Sequence, residues 1–189
     1  MKVEIRQATK ADCVAILPLV WIIIEDMELP LLAEIPAHTV QEWLLTAMKT
    51  EDYRYSYRRM QVAVIEDNIA GVVVSYDGQD EEGIDKVFNE IAKKAGYDVQ
   101  LFTDAESDGQ EWYLDTLVVD AKYRGYGVAT QLIAAVVKRA KVHQAECIGL
   151  NVDVDNFGAR KLYDKLGFTK VGTRQLAMHQ YDHLQMKVK

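Results

Sequence analysis

One local pattern constrains this 189-residue chain more than any other: an apolar strand that ends in a glycine turn and continues as a helix. Leu117-Val118-Val119 is the strand end. After a short loop comes Arg124-Gly125-Tyr126-Gly127-Val128-Ala129-Thr130, and then Leu132, Ile133, Val136 and Val137 at helical spacing. Such a turn presents unpaired backbone N–H groups at a helix N-terminus, where the helix dipole adds positive potential. Together these suit a pyrophosphate. Gly125 and Gly127 permit a close approach that a Cβ would obstruct, and Lys122 and Arg124 add formal positive charge. A glycine pair is also compatible with a plain turn. The competing dinucleotide fingerprint needs a third glycine, and Thr130 stands in its place.

The rest of the chain sets that turn in a mixed α/β pattern. Val3 to Arg6 alternates as a strand. Thr9, with Asp12 three residues on, caps a helix through Ile16, Leu19, Val20 and Ile23, with a kink expected at Pro18. Thr39 and Glu42 form a second capping box. The segment Tyr53 to Arg59 fits no class. Gln61 to Glu66 and Ile69 to Tyr76 form a hairpin joined at Asp67-Asn68. An acidic insertion follows over 77–110, with Ile84, Val87, Phe88 and Ile91 on one helical face and mobile ends expected. Trp112 to Val119 is a strand, Tyr126 to Lys141 a helix, Cys147 to Val152 a strand, and Ala159 to Leu166 a helix ended by Gly167. Phe168 to Arg174 and Leu184 to Val188 close the order as strands. The expectation is one domain over 1–189, a mixed sheet with helices on its faces.

Composition narrows the setting. The chain is 49% hydrophobic and 27% charged, an ordinary globular balance. No run of eighteen apolar residues suggests a membrane span, and the alternating first residues do not read as a signal peptide. Cys13 and Cys147 read as small buried thiols of a cytoplasmic protein. The four histidines show no metal-ligand spacing, so no metal is expected. The net charge is −7. Residues 1–120 hold 10 Lys and Arg against 24 Asp and Glu, and residues 121–189 hold 12 against 5. The acidic part suits a cationic substrate and the basic part suits phosphates. Overall acidity argues against nucleic acid.

Arg124, Gly127 and Ala129, preceded by Leu117-Val118-Val119-Asp120, resemble the cofactor turn of the GNAT superfamily of acyl-CoA N-acyltransferases. Asn156-Phe157-Gly158-Ala159, then Tyr163, then Gly167-Phe168, is similar to that family's second cofactor block. The likeness spans residues 112 to 172, while the first 110 match only in element order. It implies a mixed, mostly antiparallel sheet flanked by helices, with acetyl-CoA as acyl donor and a small-molecule or peptide amine as acceptor. By resemblance, the backbone of Leu117, Val118 and Val119 holds the pantetheine arm. The amides of Arg124, Gly125, Tyr126, Gly127, Val128, Ala129 and Thr130 hold the pyrophosphate. The strand at Cys147 to Val152 splays from its neighbour to admit the thioester. Asn156 bonds the cofactor arm, or serves as a helix N-cap. Ala159 leaves room for the cofactor.

Tyr163 is the expected catalytic acid for the thiolate leaving group, or else a packing tyrosine. Glu111, Tyr113 and Asp115 alternate onto one face with Leu117, and Asp115 is the expected proton acceptor, or else a surface carboxylate. Glu25, Asp26 and Glu28 lie near the expected acceptor pocket. The closing residues 176–189 are expected to offer a homodimer edge. The rival reading is a non-catalytic acyl-CoA sensor or interaction module.

Overall fold

The alternating segments assemble into one seven-stranded sheet in the order β1-β2-β3-β4-β5-β7-β6. A computed structural model describes residues 2–188. The strands are β1 (Glu4–Gln7), β2 (Met60–Ile65), β3 (Asn68–Asp77), β4 (Trp112–Val119), β5 (Cys147–Asp153), β6 (Thr169–Leu176) and β7 (His179–Lys187). The helices are α1 (Cys13–Asp26), α2 (Leu31–Glu34), α3 (Ala37–Met48), α4 (Lys86–Lys94), α5 (Val128–Val142) and α6 (Phe157–Leu166). Neighbouring strands are antiparallel except β4 and β5, which are parallel. Helices α1, α3 and α4 bury their apolar stripes against Met60, Val62, Val72, Val74 and Val118. Helices α5 and α6 cover the opposite face over Ala63, Ile65, Leu114, Ile148 and Leu150. The mixed, mostly antiparallel sheet flanked by helices is the expected architecture. Among the described residues, no helix is long and apolar enough to cross a membrane.

Several local expectations change once the chain is folded. Helix α1 runs unbroken through Pro18. Val14, whose carbonyl would otherwise accept from residue 18, is exposed along with Pro18 itself, so water can replace the lost bond. At Thr9 the capping box forms, with the Asp12 carboxylate accepting from the Thr9 amide at 2.7 Å. The Thr39–Glu42 box does not form. Helix α3 begins three residues earlier than that box implies, with Pro36 at the N-cap, where its missing N–H costs no helical hydrogen bond. The hairpin turn is Glu66-Asp67, one residue before the expected pair, and both residues have positive φ. That sign is what a two-residue turn between twisted strands requires. Cys13 is buried, but Cys147 is only partly so.

Two larger differences concern the ends of elements. The acidic insertion carries its one expected helix, α4, which packs Phe88 against Trp43 and Tyr53. Its flanks are tied down: the Gly78 amide donates to the Glu111 carbonyl at 2.8 Å, and Glu81 accepts from the amides of Glu106 and Ser107. The closing segment offers no free edge, because β7 lies between β5 and β6. The edge strand at that side is β6, which a sequence pattern cannot reveal because strand order is a long-range property. Residue 189 lies outside the described residues.

The β4–β5 pairing is short. It comprises only Trp112↔Ile148 and Tyr113↔Gly149. Beyond it, β4 continues along β3 and β5 along β7. At the point of divergence Asp115 is an extra residue in β4, since Thr116 pairs with Val74 and Leu114 with Ser75. A bulge increases local twist and bends the strand, which carries β4 away from β5. It also resets the alternation. Tyr113 faces Tyr76 and Ile84, whereas Leu117 packs on the α5 side. The shared face expected for Tyr113, Asp115 and Leu117 therefore does not exist.

Gly149, in the last residue pair before the divergence, has no room for a side chain: an added Cβ would lie 1.7 Å from the Glu111 carboxylate. Gly149→Ala is expected to destabilise the fold by about 1–3 kcal/mol, the usual cost of overpacking. Urea denaturation of the variant against the parent chain checks it, read as a lower midpoint with an unchanged slope.

Candidate active site

The divergence of β4 and β5 opens a cleft of about 590 Å³. One wall is the β4 stretch from Tyr113 to Leu117, and the other carries Asn151, Asn156, Ala159 and Tyr163. Asp26 at the end of α1, Tyr55, Glu106, Asp153, Asp155 and Tyr181 also line it. Two larger depressions lie over the acidic insertion and between α5 and β7, and neither is lined by Tyr163, Asn156 or Asp115.

The glycine turn folds as its sequence requires. Gly125 and Gly127 have φ of 82° and 73°, in the left-handed region that a side chain disfavours. Gly127 is the residue before α5, and the helix begins at Val128. Residues 124–127 are exposed, and the first amides of α5 have no partner within the helix, which leaves donors for an anion. The Arg124 side chain donates to the Val119 carbonyl at 3.3 Å, tying the turn to the end of β4. Leu117 and Val119 are partly buried and Val118 is buried in the core beneath α1.

Asn156 caps α6, accepting from the Ala159 amide at 3.1 Å. Tyr163 is 7% exposed, packs edge-on against Phe168 at 5.6 Å and lines the cleft. Burial pushes its phenol up to about 12, so it is protonated at neutral pH and able to donate.

Asp115 does not lie at the surface. Its carboxylate accepts from Arg54 at 2.8 Å, from the Tyr76 hydroxyl at 2.8 Å and from the Thr116 hydroxyl at 2.8 Å. Arg54 is the centre of this group. Its side chain is 2% exposed and also donates to Glu106 at 2.9 Å and to Asp85 at 2.9 Å. The guanidinium lies 4.5 Å from the centre of the Phe102 ring. One cation thus donates to three carboxylates, and a fourth, that of Glu81, lies 4.0 Å away. Burial raises the Glu106 carboxyl to about 7, with Asp115 adding to the rise and Arg54 opposing it. Burial also raises Asp85 above its ordinary value, against the pull of Arg54. Sequence patterns gave no sign of this. Tyr53, Arg54 and Tyr55 are all buried, yet a polar and aromatic segment without periodicity announces neither a core nor a site.

Behind the cleft a second polar group crosses the sheet. Asn151 donates to the Glu106 carbonyl and to the Tyr113 hydroxyl, both at 2.9 Å. Its own oxygen lies 2.7 Å from Nδ1 of His183, whose Nε2 lies 3.2 Å from Glu111. Burial alone would raise Glu111, but His183, the Asp108 amide and Gln185 hold it below its usual value. The ligand atoms of Asp108, Glu111 and His183 lie within 4.8 Å of one another, a grouping that the spacing of histidines in sequence could not foretell. Gln185 and Arg174 already donate to these carboxylates, so the grouping reads as a hydrogen-bonded network. Of the three carboxylates expected near the acceptor pocket, Asp26 lines the cleft, Glu25 accepts from Trp21 at 2.6 Å, and Glu28 lies 3.4 Å from His179.

The family model of the acetyltransferase (GNAT) family matches residues 24–168. The chain belongs to this family. GNAT members use acetyl-CoA as acyl donor. A solved acetyltransferase structure is 42% identical and superposes with a TM-score of 0.88, covering 98% of this chain and 100% of that one. An N-acetyltransferase from Staphylococcus aureus Mu50 is 30% identical, with a TM-score of 0.88 over 97% and 100% of the two chains. The N-alpha-acetyltransferase MAK3 of Arabidopsis thaliana is 38% identical over 58 residues, 31% of this chain and 30% of that protein. Across the curated relatives, matches cover only 30% to 43% of their lengths.

Removing the central cation would leave buried carboxylates without a counter-charge, a loss that typically costs about 3–5 kcal/mol. Arg54→Met is expected to lower stability by that order, measured by urea denaturation at neutral pH. The loss should shrink at acid pH, where the carboxyls are protonated and no longer need the cation.

Proposed function

We propose that this GNAT protein transfers an acetyl group from acetyl-CoA directly to an amine within one ternary complex. The observation that carries the reading is the single cleft with the glycine turn leading from one wall and Tyr163 in the other. The pyrophosphate rests on the amides of residues 124–130 and the pantetheine arm runs along Leu117, Val118 and Val119. The amine nitrogen attacks the thioester carbonyl, the C–N bond forms and the C–S bond breaks. Tyr163 gives its proton to the leaving thiolate. The amine's proton passes to the carboxylates held by Arg54, among which Asp115 stands on the strand itself. Asn156 keeps its capping role and bonds the cofactor arm, and Ala159 leaves space beside it. This chemistry needs no metal and no covalent enzyme intermediate. It suits a cytoplasmic protein with free thiols.

A cationic acceptor fits the cleft. Asp26, Glu106, Asp115, Asp153 and Asp155 line it, and no Lys or Arg does so among the described residues. Such a lining concentrates an ammonium and orients it. The curated relatives are named as N-alpha-acetyltransferases, which supports testing peptide α-amines first. The alternative of a non-catalytic acyl-CoA module leaves the polar lining and the buried phenol without a purpose.

Two measurements test the reading. Acetyl-CoA affinity by calorimetry should fall steeply in Gly127→Glu, which adds strain and negative charge at the phosphate site; unchanged affinity in a folded variant would remove the turn from the assignment. Thiol release should be seen with at least one member of a panel of peptide α-amines, lysine side chains, polyamines and aminoglycosides. With the best of these, Tyr163→Phe should lower kcat by about 10²–10⁴-fold and leave acetyl-CoA affinity nearly unchanged. Full activity with chemistry rate-limiting would return Tyr163 to packing on Phe168.

A further inference from the structure

We infer that Glu106, delivered to the cleft by the acidic insertion, is the group that accepts the amine's proton, with Asp115 positioning Arg54 beside it. This rests on the acetyl-transfer reading above and says which carboxylate of the Arg54 group does the work.

The mount of Glu106 comes first. It lies in the stretch between α4 and β4, where loops are ordinarily adaptable, yet its backbone is held from both sides. The Glu81 carboxylate accepts from the Glu106 amide at 2.7 Å, from the Ser107 amide at 2.9 Å and from the Ser107 hydroxyl at 2.6 Å. The Asn151 side chain donates to the Glu106 carbonyl at 2.9 Å. Asn151 is in turn held by His183 on β7. Turn, strand and loop therefore converge to fix one residue that lines the cleft also lined by Tyr163. A solubility device on a surface insertion would need no such anchoring.

The hydrogen-bond inventory separates the two candidate bases. Asp115 accepts from a guanidinium and two hydroxyls, and its side chain is 3% exposed. Glu106 accepts from Arg54 at 2.9 Å and from the Tyr113 hydroxyl at 3.0 Å, and its side chain is 10% exposed. Every donor to a carboxylate stabilises the ionised form and weakens it as a base. Asp115 thus has the fuller set of donors, while Glu106, raised by burial, has fewer donors and is the more accessible carboxylate. The charged and titratable groups facing Glu106 are Arg54 from the loop after α3, Glu81 from the turn after β3, Tyr113 and Asp115 from β4, and Tyr181 from β7. Of these only Arg54 is a cation, so the surroundings favour uptake of a proton. As the C–N bond forms, the nitrogen's proton moves to a Glu106 oxygen, and the resulting carboxyl returns it to water at the cleft mouth.

Glu106→Gln keeps the size of the side chain and an oxygen that can accept from Arg54 and Tyr113. With saturating acetyl-CoA and the best amine of the panel, wild-type kcat should rise with pH through about 7 and level off. Glu106→Gln should lose about 10²–10⁴-fold in kcat and lose that acid limb, while acetyl-CoA affinity stays within about twofold. Asp115→Asn should lower kcat but keep the limb, because it acts through Arg54. If Glu106→Gln does not fold, as judged by its melting profile, Glu106→Asp should fold and show a lowered kcat with a displaced limb. Near-wild-type kcat and an intact limb in Glu106→Gln or Glu106→Asp, with a solvent isotope effect showing that proton transfer limits the rate, would overturn the inference. So would transfer of the limb's loss to Asp115→Asn. Those results leave acetyl transfer standing. A wild-type protein silent with every amine would instead overturn the acetyl-transfer reading, and this inference with it.

Discussion

A guanidinium almost sealed from water, shared among three carboxylates, holds the functional half of this molecule together. Arg54 offers five N–H donors in a planar fork and cannot release its charge. Burying it obliges its surroundings to supply anions. It draws them from Asp85 at the start of α4, Glu106 in the loop beyond and Asp115 on β4. Helix, loop and strand are thereby fixed to one point. One positive charge cannot neutralise three negative ones at this depth, so the excess appears as raised affinity for protons on the carboxylates that burial reaches most strongly. The group that ties three elements together thus also carries carboxyls with raised affinity for protons.

The cleft follows from a second constraint, the bulge at Asp115. Two parallel strands that kept their ladder would leave no space between them. Here the ladder stops after two residue pairs, and the extra residue in β4 turns that strand aside. The bulged residue is also one that grips Arg54. Divergence of the strands and assembly of the polar group are therefore coupled, and the site cannot open without placing a carboxylate at its mouth. The α5 N-terminus lies just beyond the end of β4, which puts the positive end of a helix dipole beside that strand end.

Local patterns were legible where local forces decide. The Thr9–Asp12 cap, strand β4 with its residue bounds, the glycine turn and the Gly167 stop of α6 all appear as the residues alone suggest. Patterns failed where a competing local signal or a distant partner prevailed. Pro36 overrode the Thr39–Glu42 box. Pro18 left its helix whole because the carbonyl it deprives faces water. The alternation from Tyr113 to Leu117 looked continuous, and only the β3 register showed that Asp115 interrupts it.

What the sequence by itself determined was the glycine turn and the helix start behind it. Gly125, Gly127 and the apolar spacing of α5 specify both within a short stretch, with no side chain from elsewhere. What only the tertiary structure decided was the ionisation of the buried carboxyls. Arg54 is 31 residues from Asp85, 52 from Glu106 and 61 from Asp115, and no short-range rule relates them. Whether each carboxyl is ionised depends on burial and on donors contributed by β3, β4 and the insertion, which exist only once the sheet has closed. The charge balance of the first 120 residues, −14, therefore said that acid was present, and the fold alone determined which acid could hold a proton.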